Sequence, residues 1–311
     1  MIKTLIFDID GTLTNSKKVI TPLTKEAILR AQENGVRVCL ASGRAAHGLS
    51  KFVKELELDK HDGLLISYNG ARVSSADGKH EYFSNFLNKD RAKDLIKHLS
   101  KFDKLVYVLE EDNHVICEDC FNNTITYRDK PFNVLKYETR MNNLLIYEVE
   151  DIVSYLDHDT PKVLTYGDPE YLRANQDKLS EGFDDLCSVF SADFFYEFTN
   201  KGIDKGSVIK TVLCDKLGLN IDEICAFGDA ENDITMLKNC GLGVCMANGQ
   251  DKAKGVADMI CGDNDHDGIA YALEKILCIF RMNKAGMKLA SVPVILFNNA
   301  ISTIFSAASI S

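Results

Sequence analysis

The chain has 311 residues, which is enough for two domains that each bury a hydrophobic core. Apolar residues make up 45% of the chain and charged residues 26%, as in soluble globular proteins. The formal net charge of −10 argues against a nucleic-acid partner, because proteins bind a phosphate backbone with an excess of Lys and Arg.

The chain opens without the basic segment and apolar run of a secretory signal, so we expect a cytoplasmic protein. Its 10 cysteines are scattered, and several of them, including Cys39 and Cys225, lie inside apolar runs. Reduced cysteines in a hydrophobic core explain this distribution better than a set of disulfides does.

Short apolar segments alternate with helical segments in the first part of the chain. A helix is predicted at 21–35, where Thr21 can cap the first turn and Pro22 fits the first helical position. The apolar segments are short and end in turn residues, which is typical of strands buried on both faces of a parallel sheet. Three such strands are predicted, at residues 3–8, 36–41 and 62–68. This alternation indicates right-handed βαβ units.

The sequence pattern changes between Ser75 and about Tyr196. Residues 104–111 and 114–119 are predicted to pair as a hairpin, and residues 88–102 show the pattern of an amphipathic helix. The alternation of helices and buried strands resumes after this segment. We therefore predict an α/β fold whose parallel-sheet core is interrupted by an inserted α+β segment.

Polar side chains follow the predicted core strands, where parallel sheets gather their ligand sites. Asp8 and Asp10 come at the end of the first strand, and extended residues at this spacing point to the same side. The other candidates, which follow core strands or begin a helix, are Ser42, Gly43, Arg44, Lys205, Asp229, Asn232 and Asp233. Carboxylates, a hydroxyl group and a lysine would thus meet in one crevice.

This combination of side chains suits the transfer of a phosphoryl group. A carboxylate can attack phosphorus and form an aspartyl phosphate, which splits a slow hydrolysis into two steps. Mg²⁺ held by carboxylates is needed between the two negative charges. Lys205 would neutralise the phosphoryl oxygens, while Ser42 and the main-chain N–H groups after Asp8 would donate hydrogen bonds to them. The second carboxyl group, Asp10, can protonate the leaving oxygen and then deprotonate water.

Four motifs, in this order, resemble those of the haloacid dehalogenase-like phosphatases. They are DIDGTLT at 8–14, SGR at 42–44, DKG at 204–206 and GDAENDITML at 228–237. ISYNGA at 66–71 and two later stretches are similar to the Cof-like branch of this family. The resemblance runs almost without a break from Met1 to about Cys278.

The resemblance implies a fold and roles for individual residues. The implied fold is a Rossmann-like three-layer core at 1–75 and 197–278, with an α+β cap at 76–196 that sets substrate specificity. Asp8 would be the nucleophile and Asp10 the general acid and base. The implied Mg²⁺ ligands are Asp8, the main-chain carbonyl of Asp10, Asp229 and, in support, Asp233. The implied phosphate contacts are the Ile9 N–H, Ser42, Gly43, Lys205 and Asn232. The candidate substrate contacts are Thr12, Arg44 and Asn69, of which Asn69 can equally serve only its Asn-Gly turn.

Two other functions stay open at this point. A phosphosugar mutase of the same superfamily begins with a similar motif but returns the phosphoryl group to a sugar. A receiver-type signalling domain also phosphorylates an aspartate beside Mg²⁺, but it needs no acid such as Asp10 and has no large cap. We favour a Mg²⁺-dependent phosphatase that acts on a small phosphorylated metabolite, such as a sugar phosphate, flavin mononucleotide or pyridoxal phosphate.

The last segment, 279–311, departs from the family pattern. From Leu289 onward it contains no charged residue, and its length is sufficient to span a membrane. Pro293 and the pair Asn298 and Asn299 make membrane insertion weak. We therefore expect this tail to pack on its own core or on another subunit, with a membrane anchor as the less favoured alternative.

Overall fold

The computed structural model describes residues 1–277, so the apolar tail at 279–311 lies outside the described residues. Two large β-sheets and one separate hairpin form within these residues. The strands are β1 (Thr4–Asp8), β2 (Arg37–Ala41), β3 (Leu64–Ser67), β4 (Arg72–Ser75), β5 (Glu81–Ser84), β6 (Val106–Glu111), β7 (His114–Cys117), β8 (Thr124–Tyr127), β9 (Lys130–Asn133), β10 (Leu145–Glu148), β11 (Val163–Tyr166), β12 (Leu186–Ala192), β13 (Phe195–Asn200), β14 (Ile224–Gly228), β15 (Leu242–Cys245) and β16 (Met259–Ile260). The α-helices are α1 (Pro22–Glu33), α2 (Ala46–Glu55), α3 (Lys89–Leu99), α4 (Val134–Asn142), α5 (Ile152–Tyr155), α6 (Pro169–Leu179), α7 (Ile234–Lys238), α8 (Asp251–Lys254) and α9 (Gly268–Ile276), and a π-type segment covers Ile209–Cys214.

The first sheet has its strands in the order β16-β15-β14-β1-β2-β3-β4-β5. The strands from β16 to β3 run parallel, and β4 and β5 extend the sheet as antiparallel strands. Every residue of β1 is buried, because both faces of this sheet are covered by helices. The prediction of a parallel α/β core is confirmed.

The side chains of β1 alternate between two layers of helices. Leu5 and Phe7 pack with α1, α2 and α9, and the Phe7 ring stacks on Phe227 with 5.0 Å between the ring centroids. Ile6 packs on the other face, against the π-type segment and Met236 of α7. Full burial of a side chain of this size contributes about 1.5–3 kcal/mol. The core therefore has the predicted three layers.

Helix α1 begins at Pro22, as predicted, since a residue without an N–H is tolerated in the first turn. The cap prediction for Thr21 was wrong. Its hydroxyl makes no cap hydrogen bond and instead donates to the carboxylate of Asp267, next to the start of α9. Because α1 and α9 pack against each other, Thr21 links two helices rather than capping one.

The second sheet has the strand order β10-β7-β6-β11-β13-β12 and is antiparallel except for the pair of β10 and β7. The predicted hairpin of β6 and β7 and the predicted helix α3 are both present. Helices α3, α5 and α6 pack on one face of this sheet. The other face is covered by α4 and by the small hairpin of β8 and β9.

Two segments of the chain cross between the sheets and are tied together by a side chain. The Asn200 amide group donates to the side-chain oxygen of Asn85 at 2.8 Å and to the main-chain oxygen of Phe86 at 2.7 Å. Strand β5 pairs in the first sheet and β13 in the second, so sheet membership runs past the expected junctions at 76 and 197. The division into a core at 1–75 and 197–278 and a cap at 76–196 stays a prediction.

No helix within residues 1–277 is long and apolar enough to cross a membrane. The nine cysteines in this part of the chain are free thiols. Five of them, including Cys39 and Cys225, are buried, as the apolar runs around them predicted.

Candidate active site

Three neighbouring parallel strands end at one edge of the first sheet, and each is followed by predicted site residues. Asp8 is the last residue of β1, Ser42 follows β2, and Asp229 follows β14. The sheet order β14-β1-β2 puts these three strand ends side by side. Parallel pairing therefore brings together residues that are far apart in the sequence.

Lys205 lies at the centre of this group. Its side chain is fully buried, and its ammonium group donates to Asp8 Oδ1 at 2.6 Å and to Asp233 Oδ1 at 2.8 Å. Burial would lower the pKa of Lys205, but the charges of the two carboxylates raise it above its usual value. A permanent cation is thus held against Asp8.

The turn that carries Lys205 is fixed by its neighbour. Asp204 Oδ1 accepts the main-chain N–H groups of Gly206 and Ser207, both at 2.8 Å. These bonds satisfy donors at the start of the helical segment, as a cap residue does. Sequence analysis did not assign a role to Asp204, although an aspartate before a helix is a recognisable cap signal.

Asp233 fixes the loop that follows β14. While its Oδ1 faces Lys205, its Oδ2 accepts the main-chain N–H groups of Asp229 at 2.9 Å and Ala230 at 3.1 Å. One buried carboxylate therefore closes this loop and also pairs with the buried lysine. The spacing of four residues between Asp229 and Asp233 lets the Asp233 carboxylate reach back to the main chain at the start of the loop.

Asp8, Asp229 and Asp233 form a group that could hold a metal ion, with ligand oxygens all within 4.8 Å of one another. The hydroxyl of Thr12 donates to Asp229 Oδ1 at 2.7 Å and orients that carboxylate. Gly11 has φ +91°, and a Cβ at this position would lie 2.5 Å from Asp229 Oδ2. Only glycine therefore lets the loop after β1 approach Asp229 so closely. Clustered carboxylate oxygens of this kind fit Mg²⁺, which prefers hard oxygen ligands.

The electrostatics of these carboxylates also fit a cation. Burial and the charge of Asp233 raise the pKa of Asp8, while Lys205 opposes this effect. Burial also raises the pKa of Asp229, with the hydrogen bond from Thr12 acting in the opposite direction. One ammonium group does not balance three crowded carboxylates, so a divalent cation would stabilise their ionised forms.

The side chain of Asp10 belongs to a different set of contacts. Arg44 donates to both of its carboxylate oxygens, at 2.8–3.0 Å, and the Lys18 ammonium group donates at 2.8 Å. Burial would raise the pKa of Asp10, but the charges and hydrogen bonds of Arg44 and Lys18 bring it below its usual value. Lys18 was missed by sequence analysis, because nothing in its local pattern separates it from a surface lysine.

Asn69, in the loop after β3, contacts three of the remaining predicted residues. The Asn69 N–H donates to the Ser42 carbonyl at 2.9 Å, and Asn232 donates to the Asn69 side chain at 3.4 Å. Gly43 lies against the same side chain, since a Cβ there would be 3.1 Å from Asn69 Nδ2. Ile9 and Ser42 are buried, so any phosphate contact of Ile9 would be through its main chain.

The candidate substrate contacts already have partners within the protein. The Thr12 hydroxyl donates a hydrogen bond to Asp229, and the Arg44 guanidinium group donates to Asp10. The side-chain oxygen of Asn69 accepts a hydrogen bond from Asn232. Their roles toward a substrate stay predictions. The structure shows that all three lie next to the other predicted site residues.

Comparison with known proteins identifies a family for this arrangement. A family model described as haloacid dehalogenase-like hydrolase matches residues 5–273. A haloacid dehalogenase-like hydrolase from Bacteroides thetaiotaomicron has a similar structure, with a TM-score of 0.81 at 30% identity, over 89% of this chain and 100% of that chain. The 5-amino-6-(5-phospho-D-ribitylamino)uracil phosphatase of Bacillus subtilis is 28% identical over 88% of this chain and 94% of its own. The phosphoglycolate phosphatase of Methanobrevibacter smithii is 24% identical over 89% of this chain and 99% of its own.

Proposed function

The chain belongs to the haloacid dehalogenase-like hydrolases and is a phosphatase, and from this premise we propose that it hydrolyses small phosphorylated metabolites with Mg²⁺ through an aspartyl phosphate on Asp8. The observation that carries this proposal is the contact of Asp8 with the buried Lys205, within a group of carboxylates that could hold a metal ion. In this proposal, the nucleophile, a fixed cation and the metal ligands lie together at the carboxyl ends of the parallel strands.

Asp8 is the proposed nucleophile. One of its carboxylate oxygens attacks phosphorus, the bond from phosphorus to the ester oxygen breaks, and an acyl phosphate forms on Asp8. Lys205 holds positive charge beside the phosphoryl oxygens throughout, and its burial keeps that charge from being screened by water. The buried Ser42 and the main chain at Ile9 and Gly43 are the proposed hydrogen-bond donors.

Mg²⁺ bound at Asp8, Asp229 and the Asp10 carbonyl, with Asp233 in support, would neutralise charge between the attacking carboxylate and the phosphoryl group. Asp233 already makes three hydrogen bonds within the protein, so its main contribution is to hold the loop that presents Asp229. Thr12 keeps Asp229 in its orientation.

Asp10 is the proposed acid and base. Its contacts with Arg44 and Lys18 favour the ionised carboxylate, which is the form that deprotonates the attacking water in the second step. In the first step, the same group protonates the leaving oxygen. Any displacement of Lys18 or Arg44 by substrate would raise the pKa of Asp10 and assist that protonation.

The proposed substrates are small phosphorylated metabolites in the cytoplasm, such as sugar phosphates, flavin mononucleotide or pyridoxal phosphate. The two curated phosphatases compared above are named for chemically different substrates, so family membership leaves this choice open. We propose that the cap at 76–196 determines the substrate, because it is the inserted α+β segment and contains none of the residues proposed for phosphoryl transfer.

The test is phosphate release by the purified protein from p-nitrophenyl phosphate and from a panel of phosphorylated metabolites, with Mg²⁺ and with EDTA. We expect release that depends on Mg²⁺ and an acid-stable, hydroxylamine-sensitive phosphoryl group on Asp8 after rapid quenching. Isomerised sugar phosphate without free phosphate would indicate a mutase instead. A phosphoprotein that persists without turnover would indicate a signalling domain.

A further inference from the structure

A cleft opens at the edge of the first sheet that lies opposite the candidate active site. The parallel strands β14, β1, β2 and β3 begin at this edge, whereas the predicted site residues follow the other ends of these strands. The volume of the cleft is about 520 Å³, and small-molecule sites typically have about 300–1,000 Å³. Besides Gln32 of α1, its lining comes mainly from the segments that precede the strands, at 3–4, 35–37, 60–62 and 218–220.

Strand pairing builds the wall of this cleft. The Lys3 N–H donates to the Glu223 carbonyl oxygen at 2.8 Å, and the Arg37 N–H donates to the Lys3 carbonyl oxygen at 2.8 Å. Thr4, which is buried, lies opposite Arg37 in the pairing of β1 with β2. The backbone around the cleft is therefore part of the sheet, and the cleft is formed before any ligand binds.

Gln32 is the first sign that this cleft binds a ligand. Its side chain is 4% exposed, and its amide nitrogen Nε2 donates to the Leu56 carbonyl oxygen at 2.7 Å. Leu56 does not line the cleft, so the oxygen Oε1 is the end of the amide group that is left for the cleft. This oxygen is one of three buried side-chain N or O atoms within residues 1–277 that have no hydrogen-bond partner.

An architectural role explains only half of the Gln32 amide group. The bond from Nε2 to Leu56 ties α1 to the segment after α2. The oxygen Oε1 adds nothing to this tie, and a buried acceptor without a donor is unfavourable because it has exchanged its bonds to water for none. An N–H or O–H group of a ligand would supply the missing hydrogen bond.

Arg37 is a second, independent sign of a ligand. Its side chain is half-buried and lines the cleft. The Lys3 ammonium group is paired with Glu223 at 2.8 Å. Within residues 1–277, however, the Arg37 guanidinium group makes no hydrogen bond or ion pair. A guanidinium group carries five donors in a fork that matches a carboxylate or a phosphate. An unpaired cation thus lines this cleft in a protein whose net charge is −10.

We propose that this cleft binds a small anion that also carries N–H or O–H donors, as hydroxylated or aminated phosphates and carboxylates do. The anionic group contacts Arg37, and a donor reaches Gln32 Oε1. Because the cleft and the phosphoryl site lie at opposite ends of the same strands, a ligand here is not the group that is hydrolysed at Asp8. The inference does not depend on the proposed mechanism.

The test is isothermal titration calorimetry of the parent protein with adenosine monophosphate (AMP), L-malate and adenosine, all in EDTA. AMP and malate each combine an anionic group with hydroxyl donors, and adenosine is AMP without its phosphate. EDTA leaves the carboxylates of the active site without a divalent cation, which disfavours the binding of an anion there. We expect AMP or malate to bind at one site per chain, at least about tenfold more tightly than adenosine.

The three ligands distinguish the sources of the anion. Binding of AMP without malate indicates a phosphate, and binding of malate without AMP indicates a carboxylate. If neither anion binds, or if adenosine binds as tightly as the better of the two, the proposal is wrong.

Variants then place the bound anion in the cleft. Arg37→Gln removes the unpaired charge and should weaken binding about tenfold or more. Gln32→Met keeps a buried side chain of similar length without Oε1 and should weaken binding several-fold. The matched control is Arg30→Gln, because Arg30 is paired with Glu26 on α1 and lies outside the cleft, so its affinity should equal that of the parent.

Thermal unfolding without ligand shows whether each variant is folded. Arg37 is half-buried and has no partner to lose, so Arg37→Gln should unfold at the parent's midpoint. Parent-like affinity for the bound anion in Arg37→Gln, or in a folded Gln32→Met, would overturn the assignment.

Discussion

The ammonium group of Lys205 lies 2.6 Å from a carboxylate oxygen of Asp8, although 197 positions separate the two residues in the chain. Both are buried, and Asp233 contacts the same ammonium group from another side. The positive charge that would stabilise a phosphoryl group is therefore fixed before any substrate binds. Such preorganisation avoids the reorganisation that water would need around the same charge.

Replacement of this lysine should cost both activity and stability. Lys205→Met leaves the buried carboxylate of Asp233 without its cation, and removal of one partner of a buried pair typically costs about 3–5 kcal/mol. Urea unfolding at pH 7 with EDTA measures the stability, and p-nitrophenyl phosphate turnover measures the activity. Lys210→Met, on the exposed side of the following helical segment, is the matched control. Similar midpoints for the two variants would contradict the role given to Lys205.

Asp8→Asn should abolish turnover but make the metal-free protein less sensitive to rising pH. The pKa of Asp8 is raised from 3.8 by burial and by Asp233, so the folded state holds this proton more tightly than the unfolded state. The parent therefore loses stability as pH rises from about 4 through the folded-state pKa. Asn has no charge to develop, and thermal unfolding in EDTA at pH 5 and pH 8 should show a smaller difference.

Asp10→Asn is the control for the direction of this pH dependence. The pKa of Asp10 is lowered in the folded state, so its carboxylate contributes stability above its unfolded pKa, and this contribution is lost as pH falls through the folded value. Its replacement should remove stability at pH 8. A smaller pH dependence in Asp10→Asn than in Asp8→Asn would show that the two carboxyl groups have been assigned the wrong way round.

Lys18 should set the pH at which the second step begins. Because Lys18 and Arg44 hold Asp10 in its ionised form, Lys18→Gln should raise the pKa of Asp10 and move the acidic limb of the kcat profile to higher pH. The measurement is kcat for p-nitrophenyl phosphate from pH 4 to pH 8. Lys17→Gln removes a neighbouring exposed charge that has no contact with Asp10, and its profile should match the parent. Coincident profiles for both variants would argue against Asp10 as the base.

Much of the core and of its acidic site could be predicted because sequence order and spatial order are linked in a parallel sheet. Each buried strand ends at the same edge, so the motifs after β1 and β14 predict that Asp8 and Asp229 are neighbours. The start of α1 at Pro22 could also be predicted, because proline is favoured at the first position of a helix and this preference depends only on the local sequence.

Contacts that depend on the path of a loop or on strand register could not be predicted. Lys18 reaches Asp10 through a loop in which it adopts φ of 59° itself, and no periodicity indicates that conformation. Lys162 meets Glu110 only because β6 and β11 pair in one particular register. Tyr68 continues an apolar run, so the sequence pattern favours a strand residue rather than the first residue of a strained turn.

A chain shortened after residue 278 should fold and keep the proposed Mg²⁺-dependent turnover. All proposed site residues lie between Asp8 and Asp233. The shortened chain also keeps α9, which packs on α1. A shorter chain ending at residue 267 is the comparison, because it loses Ile269 and Leu273 from the core, at about 2–5 kcal/mol for each large apolar side chain. Turnover of p-nitrophenyl phosphate and thermal unfolding distinguish the two. A soluble but inactive chain ending at 278 would mean that the apolar tail contributes to the site. If instead the full-length protein pellets with membranes and resists a carbonate wash, the tail is a membrane anchor.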